Sequence, residues 1–271
     1  MLAIDGSFLD FKQLDLLALR QTPVHCLDPR AKVLTTLCFI VCVVSFDRYQ
    51  ISAMLPFLIY PAVLMAVGDL PFGYILRKLI IVIPFALLVG LFNPVFDRQV
   101  LMQIGSLDIW GGWISCLSIL IRAILTASAA IILVAITGFP AIIEALEKLK
   151  MPKTFAVQLL FLYRYIFVLT DEGVRTARAR QLRTFGKRGL GIKHFGSLVG
   201  HLLLRTWERA ERIHMAMLAR GFAGEVHSTR RQSRFGRAEL LFMSGWISLF
   251  ILLRLYNAPQ LLGGLFTGTL P

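Results

Sequence analysis

Residues 155–170 read FAVQLLFLYRYIFVLT, and the fold turns on whether that stretch crosses a membrane or lies beside one. It is apolar enough to resemble a span. However, it holds only 16 residues, where a bilayer needs roughly 20. It also carries Arg164, and a charge near mid-bilayer costs at least about 2.5 kcal/mol. Its flanks decide the matter. Lys148, Lys150 and Lys153 precede or open it, and fifteen Lys and Arg against five Asp and Glu lie between Asp171 and Arg237. Basic flanks stay on the cytoplasmic side, yet a span would separate these two. The stretch therefore reads as the start of a long amphipathic helix at the cytoplasmic face, with its apolar side against protein or the interface.

With that stretch set aside, five apolar blocks read as spans: about 33–46, 51–67, 79–96, 113–137 and 240–256. The first is short, and its ends are expected to take in Lys32 and Tyr49. Pro56, Pro61, Pro84 and Pro94 predict kinks, because each removes a helix hydrogen bond, which membrane helices tolerate when neighbours satisfy the freed carbonyls. The charges then sort consistently. The N-terminus, with Lys12, Arg20, Arg30 and Lys32, is inside, and so is a loop bearing Arg77 and Lys78. The segment 97–112, with Arg98 as its one basic residue, is outside. The expected organisation is residues 1–137 for the N-terminal segment and four spans, 138–238 for a cytoplasmic helical domain, and 239–271 for the last span and an external tail. The fold class is all-α integral membrane protein, placed in the cell (plasma or inner) membrane with its N-terminus cytoplasmic.

Composition agrees. Hydrophobic residues make up 56% of the 271, above the roughly 45–50% of soluble domains. A net charge of +13 on such a chain points to anionic headgroups or an acidic protein partner. Nucleic acid fits poorly, because few aromatics interleave the arginines. Cys26, Cys38, Cys42 and Cys116 make no CxxC pair and imply no disulfide framework. Asp5, Asp10, Asp15 and Asp28 interrupt the first thirty residues, so no cleavable signal peptide is expected.

The cytoplasmic region reads as three helices: about 140–149, 154–184 and 197–220, with a Gly- and Lys/Arg-rich turn over 186–196. In the third, Val199, Leu203, Thr206, Ala210, Ile213 and Met217 form a mostly apolar stripe, while Glu208 and Arg212 are spaced as an i,i+4 pair. No catalytic residue and no metal site is expected. The chain lacks GxSxG, HExxH, P-loop and GxGxxG patterns, and Gly196 interrupts His194 and His201. Acidic residues are nearly absent from the spans, which leaves no proton relay or cation path. Such a chain reads as one part of a larger machine. Asp171 and Glu172, the one adjacent carboxylate pair of the cytoplasmic region, read as solvated helix charges rather than as the acid and base of a lipid-modifying enzyme.

Two helix ends stand out: Ala179-Arg180-Gln181-Leu182-Arg183 and Ala219-Arg220-Gly221. Ordinary capping explains arginine in a last turn and glycine after it. Projection of the arginines toward carboxylates of a partner explains them equally, since the guanidinium fork binds a carboxylate bidentately and stays charged.

The chain resembles the T component of energy-coupling factor transporters, within it the cobalt-transport CbiQ type. The resemblance rests on Leu27-Asp28-Pro29-Arg30-Ala31-Lys32 before the first span, on Leu149-Lys150-Met151-Pro152 leading to Tyr163-Arg164-Tyr165, and on the paired Ala-Arg-Gly-type ends. The second of these, Ala219-Arg220-Gly221, matches in full. The first departs, with Gln181 in place of glycine. The resemblance implies a scaffold that holds a separate CbiM/CbiN-like substrate-binding subunit. It also implies docking on a pair of CbiO-like ATP-binding-cassette ATPases through Ala179, Arg180, Arg183, Ala219, Arg220 and Gly221. ATP would be bound by those partners and no cofactor by this chain. The same scaffold could serve nickel or a vitamin, because the cargo site would lie on another subunit.

Overall fold

The computed structural model describes residues 13–47, 50–93, 100–104, 107–183, 192–224 and 236–255, with backbone alone for some of them. The chain divides into two compact units, one built on Leu14–Gly138 with Gln232–Pro271, the other on Phe139–Arg231.

After a helical stretch over residues 13–18, the first unit has a helical turn, α1 (Pro23–Cys26), followed by α2 (Pro29–Val44). The Asp28 carboxylate accepts from the Arg30 amide at 2.8 Å and Pro29 takes the first helical position, so two of the six residues from Leu27 to Lys32 start the helix. Lys32 is 2% exposed. Its ammonium donates to the carbonyls of His25 and Ile136, each at 3.3 Å. Ile136 sits in the last turn of α6 (Gly111–Thr137), where carbonyls have no partner within the helix. One lysine thus ties the entry of α2 to the exit of α6. Burial, then Lys32 and more weakly Arg20, push His25 below its ordinary value. The neutral ring can donate from Nε2 to the Leu17 carbonyl at 3.1 Å and accept at Nδ1 from the Thr22 hydroxyl at 2.7 Å.

Residues 51–67 are helical but broken: α3 (Ile51–Met54), a 3-10 turn over Leu55–Leu58, and α4 (Ile59–Val67). Pro56 and Pro61 account for the interruption. An aromatic cluster joins this segment to α2 and to α10 (Arg237–Leu255). Phe39 stacks on Tyr60 at 4.6 Å, Phe250 meets both rings edge-on, and Trp246 covers Tyr60 at 4.9 Å. The Tyr60 hydroxyl pairs with Thr36 at 2.8 Å, so its polar end is satisfied in the core. In α6, Leu125, Ala129, Ile132 and Ala135 are fully buried.

Helix α5 (Phe72–Leu91) packs along α6, and the two approach closely at Gly90, where an added Cβ would stand 2.9 Å from Cys116 Sγ. Small residues let membrane helices meet this way. Gly90→Val is expected to lower stability by about 1–3 kcal/mol through overpacking, read as an earlier thermal transition in detergent. An unchanged transition would mean that α6 yields there at no cost.

Several boundaries differ from expectation. Arg77 and Lys78 lie in the second turn of α5, not in a loop. The helix begins at Phe72 because Phe72, Tyr74, Ile75 and Leu76 extend the apolar run, and Lys78 lies 5.6 Å from the Tyr74 ring centre. Long basic stems allow such placement at a span end. The first span ends at Val44, short of Tyr49, which lies outside the described residues. Between α5 and α6, β1 (Val100–Ile104) and β2 (Leu107–Trp110) pair antiparallel as a short hairpin.

Among the described residues, four helices are long and apolar enough to cross a membrane: α5, α6, Lys153–Ala179 of α8 and α10. The third has the lowest mean hydropathy, 1.3 against 1.7 to 2.5. Helix α2 and the broken 51–67 segment are shorter. The molecule is an all-α, multi-pass membrane protein.

Candidate docking site

The second unit holds α7 (Phe139–Lys148), α8 (Lys153–Arg183) and α9 (Ile192–Ala219). Helix α7 closes with two reversing bonds, Met151 N–H to the Leu146 carbonyl and Lys150 N–H to the Glu147 carbonyl, with Lys150 left-handed at φ 76°. This Schellman closure, followed by Pro152, ends one helix and begins the next. Phe139 stacks on Tyr163 at 5.1 Å and so joins α7 to α8. Tyr163 and Tyr165 face neighbours while Arg164 between them is exposed.

Helices α8 and α9 cross near Glu172 and Gly173. The Glu172 carboxylate accepts from Arg205 at 3.1 Å and Arg209 at 3.4 Å, and Leu202 lies beside Gly173, 3.8 Å from where a Cβ would stand. Glu172 is therefore a bridge between helices, 28% exposed, and not the solvated charge that local spacing predicts. On one side of the crossing the helices enclose an apolar groove of about 410 Å³. Phe161, Tyr165 and Leu169 line it from α8, and Leu203, Trp207 and Met217 from α9. The expected stripe Leu203, Thr206, Ala210, Ile213, Met217 all reaches this groove, while Val199 is half exposed. The Glu208–Arg212 pair forms at 3.8 Å on the exposed face.

Helix α9 is longer than expected. It begins at Ile192 and runs through Gly196, at which nothing lies within 4 Å of an added Cβ. Of the expected turn, residues 186–191 lie outside the described residues. The other end is fully defined. Phe222 N–H reaches the Met217 carbonyl and Gly221 N–H the Leu218 carbonyl, each at 3.0 Å, with Gly221 at φ 79°. Ala219 ends the helix, Arg220 is the cap residue, and Gly221 takes the left-handed position that a Cβ disfavours. The capping explanation thus covers the glycine. It leaves the arginine free, because the Arg220 side chain is exposed and makes no ion pair among the described residues.

Ala179, Arg180 and Arg183 lie in the last turns of α8, with Arg183 its final residue. Ala179 is exposed. The side chains of Arg180 and Arg183 lie outside the described residues. Among the described residues, no three His, Cys, Asp or Glu side chains converge as metal ligands would. Sequence reasoning missed the Glu172 bridge, whose partners lie more than thirty positions away.

A family model described as cobalt transport protein, CbiQ, matches residues 20–232. The energy-coupling factor transporter transmembrane protein EcfT of Bacillus subtilis is 26% identical over 222 residues, covering 76% of this chain and 83% of that one. The cobalt transport protein CbiQ of Salmonella typhimurium is 28% identical over 158 residues, covering 54% of this chain and 70% of that one. A putative fused cobalt transport protein CbiMQ of Methanocorpusculum labreanum is 32% identical over 89 residues, 32% of this chain and 15% of that protein.

Proposed function

Because the chain belongs to the CbiQ family of cobalt transport proteins, we propose that it is the energy-coupling membrane subunit of a cobalt importer, driven by separate ATP-binding-cassette subunits. It passes their motion to a separate substrate-binding membrane subunit. The reading is supported most directly by Arg220, an exposed guanidinium held at the end of α9 by a closed cap, with no ion pair among the described residues. Such a group is preorganised for a carboxylate on a partner. Arg180, or Arg183 beside it, plays the same part at the end of α8, with Ala179 and Ala219 as the small neighbours that let a groove approach. The membrane unit is then residues 1–137 and 239–271, and the cytoplasmic unit 138–238. Helix α8 lies at the cytoplasmic face despite its length, since both its flanks are basic and Arg164 is exposed. The chain performs no hydrolysis itself.

The test is co-purification in detergent with the ATPase subunits encoded alongside it. Truncating one side of a desolvated arginine–carboxylate pair at an interface costs about 2–5 kcal/mol. Arg220→Glu is expected to lose the ATPase, Arg180→Glu to weaken it, and the pair of changes to abolish binding. Arg212→Gln, on the exposed face of the same helix, is expected to retain it. Equal retention in all four would leave the arginines as ordinary caps and end the docking reading.

A further inference from the structure

The end of α2 opposite Asp28 and Lys32 meets two arginines. Arg122, from α6, donates through Nη2 to the Phe46 carbonyl at 2.8 Å, and its Nε is buried without a partner. Arg254, from α10, donates through Nη2 to the Ser45 carbonyl at 2.9 Å and lies 4.4 Å over the Phe46 ring. Both therefore bond carbonyls at the cap residue of the helix and the residue after it, where the helix dipole favours cations. These bonds use one nitrogen of each guanidinium, and each has five N–H donors. Among the described residues no carboxylate pairs with either arginine.

Their depth is set by helix length. Lys32 and Ile136 share a level because they touch. From there Ser45 is thirteen residues along α2 and Arg122 fourteen back along α6, each about 20 Å at 1.5 Å per residue. The hydrocarbon core is about 30 Å thick, so the charges stand about 10 Å short of the far headgroups when the helices run upright. Around them Val41, Val44, Ile251, Leu252 and Leu255 are exposed, as side chains facing acyl chains are. Two cations with spare donors, within about 10 Å of one leaflet's headgroups and ringed by aliphatic surface, favour a phosphate carried on a lipid, drawn down toward them, over a carboxylate on a protein.

We propose that Arg122 and Arg254 form a binding site for the phosphate of a phospholipid drawn in over the short end of α2. This rests on the reading of α2, α6 and α10 as spans and is independent of the docking arginines. The test is native mass spectrometry of the full chain, delipidated and then offered phosphatidylglycerol or a diacylglycerol with the same acyl chains. Wild type is expected to retain phosphatidylglycerol about tenfold better than diacylglycerol, and Arg122→Gln with Arg254→Gln to lose that preference. The corresponding lysine pair, which keeps the charge and the fold, is expected to retain most of it. Millimolar inorganic phosphate that displaces the lipid would show that phosphate alone is recognised, and failure to displace it that the acyl chains are needed. Equal retention of both lipids by wild type overturns the proposal, as does unchanged preference in the glutamine pair. Variants that keep the lipid but lose the partner membrane subunit would assign the arginines to a protein contact instead. ATPase co-purification reports the coupling reading separately and is expected to be unaffected.

Discussion

Lys32→Met is expected to destabilise the first unit by about 2–4 kcal/mol, the largest effect of any single change away from the proposed docking residues. Methionine keeps the length of the stem and removes only the ammonium. The Ile136 and His25 carbonyls then lose the donor they share, and each buried, unsatisfied polar group costs about 1–3 kcal/mol. Relief of the lysine's own desolvation offsets part of this. For a chain of this size, about 2–4 °C of melting temperature follows each kcal/mol, so the transition should fall by about 5–15 °C. Lys78→Met, half-buried in the second turn of α5, should stay within a degree or two. Equal, small shifts for both would show that Lys32 caps nothing that matters.

The second large effect is functional. If the chain couples ATPase subunits as proposed, Glu172→Lys is expected to cut ATP-driven uptake by about tenfold or more while those subunits stay bound, since the arginines proposed to dock them lie elsewhere. The pairs with Arg205 and Arg209 are partly exposed, and each is worth only about 0.2–1 kcal/mol of stability. Their geometric part is larger, because one carboxylate fixes where two long helices cross. A lysine there puts three cations together and pushes the helices apart. Glu172→Arg combined with Arg205→Glu and Arg209→Glu should recover a good part of the uptake, which a simple folding defect would not. Unimpaired uptake in Glu172→Lys would show that the crossing transmits nothing.

The membrane class and most helices were legible because apolar runs are local signals. The block at 113–137 falls inside α6, the described part of 240–256 inside α10, and 154–184 lies within one residue of α8. Errors came where a local rule met tertiary structure. Arg77 and Lys78 looked like a loop because charge usually marks one, yet they ride the first turns of a helix. Gly196 looked like a stop, yet nothing crowds it and α9 runs through. At the site, the Ala219-Arg220-Gly221 end was readable because a cap is written within six residues. The Glu172 bridge and the two arginines over α2 were not, since each joins residues far apart in sequence and neighbouring only after folding. Lys32 was visible as part of a family-like segment, but its reach to Ile136 was not.

Two rods fastened at one point form a lever. In α9 the fastening is at Arg205 and Arg209, and Arg220 lies fifteen residues beyond the first of these, an arm of about 22 Å. A swing of about 10° about that fulcrum carries the tip through about 4 Å. The opposite arm, toward Ile192, is nearly as long, so a push at one end reappears at the other with its size almost unchanged and its direction reversed.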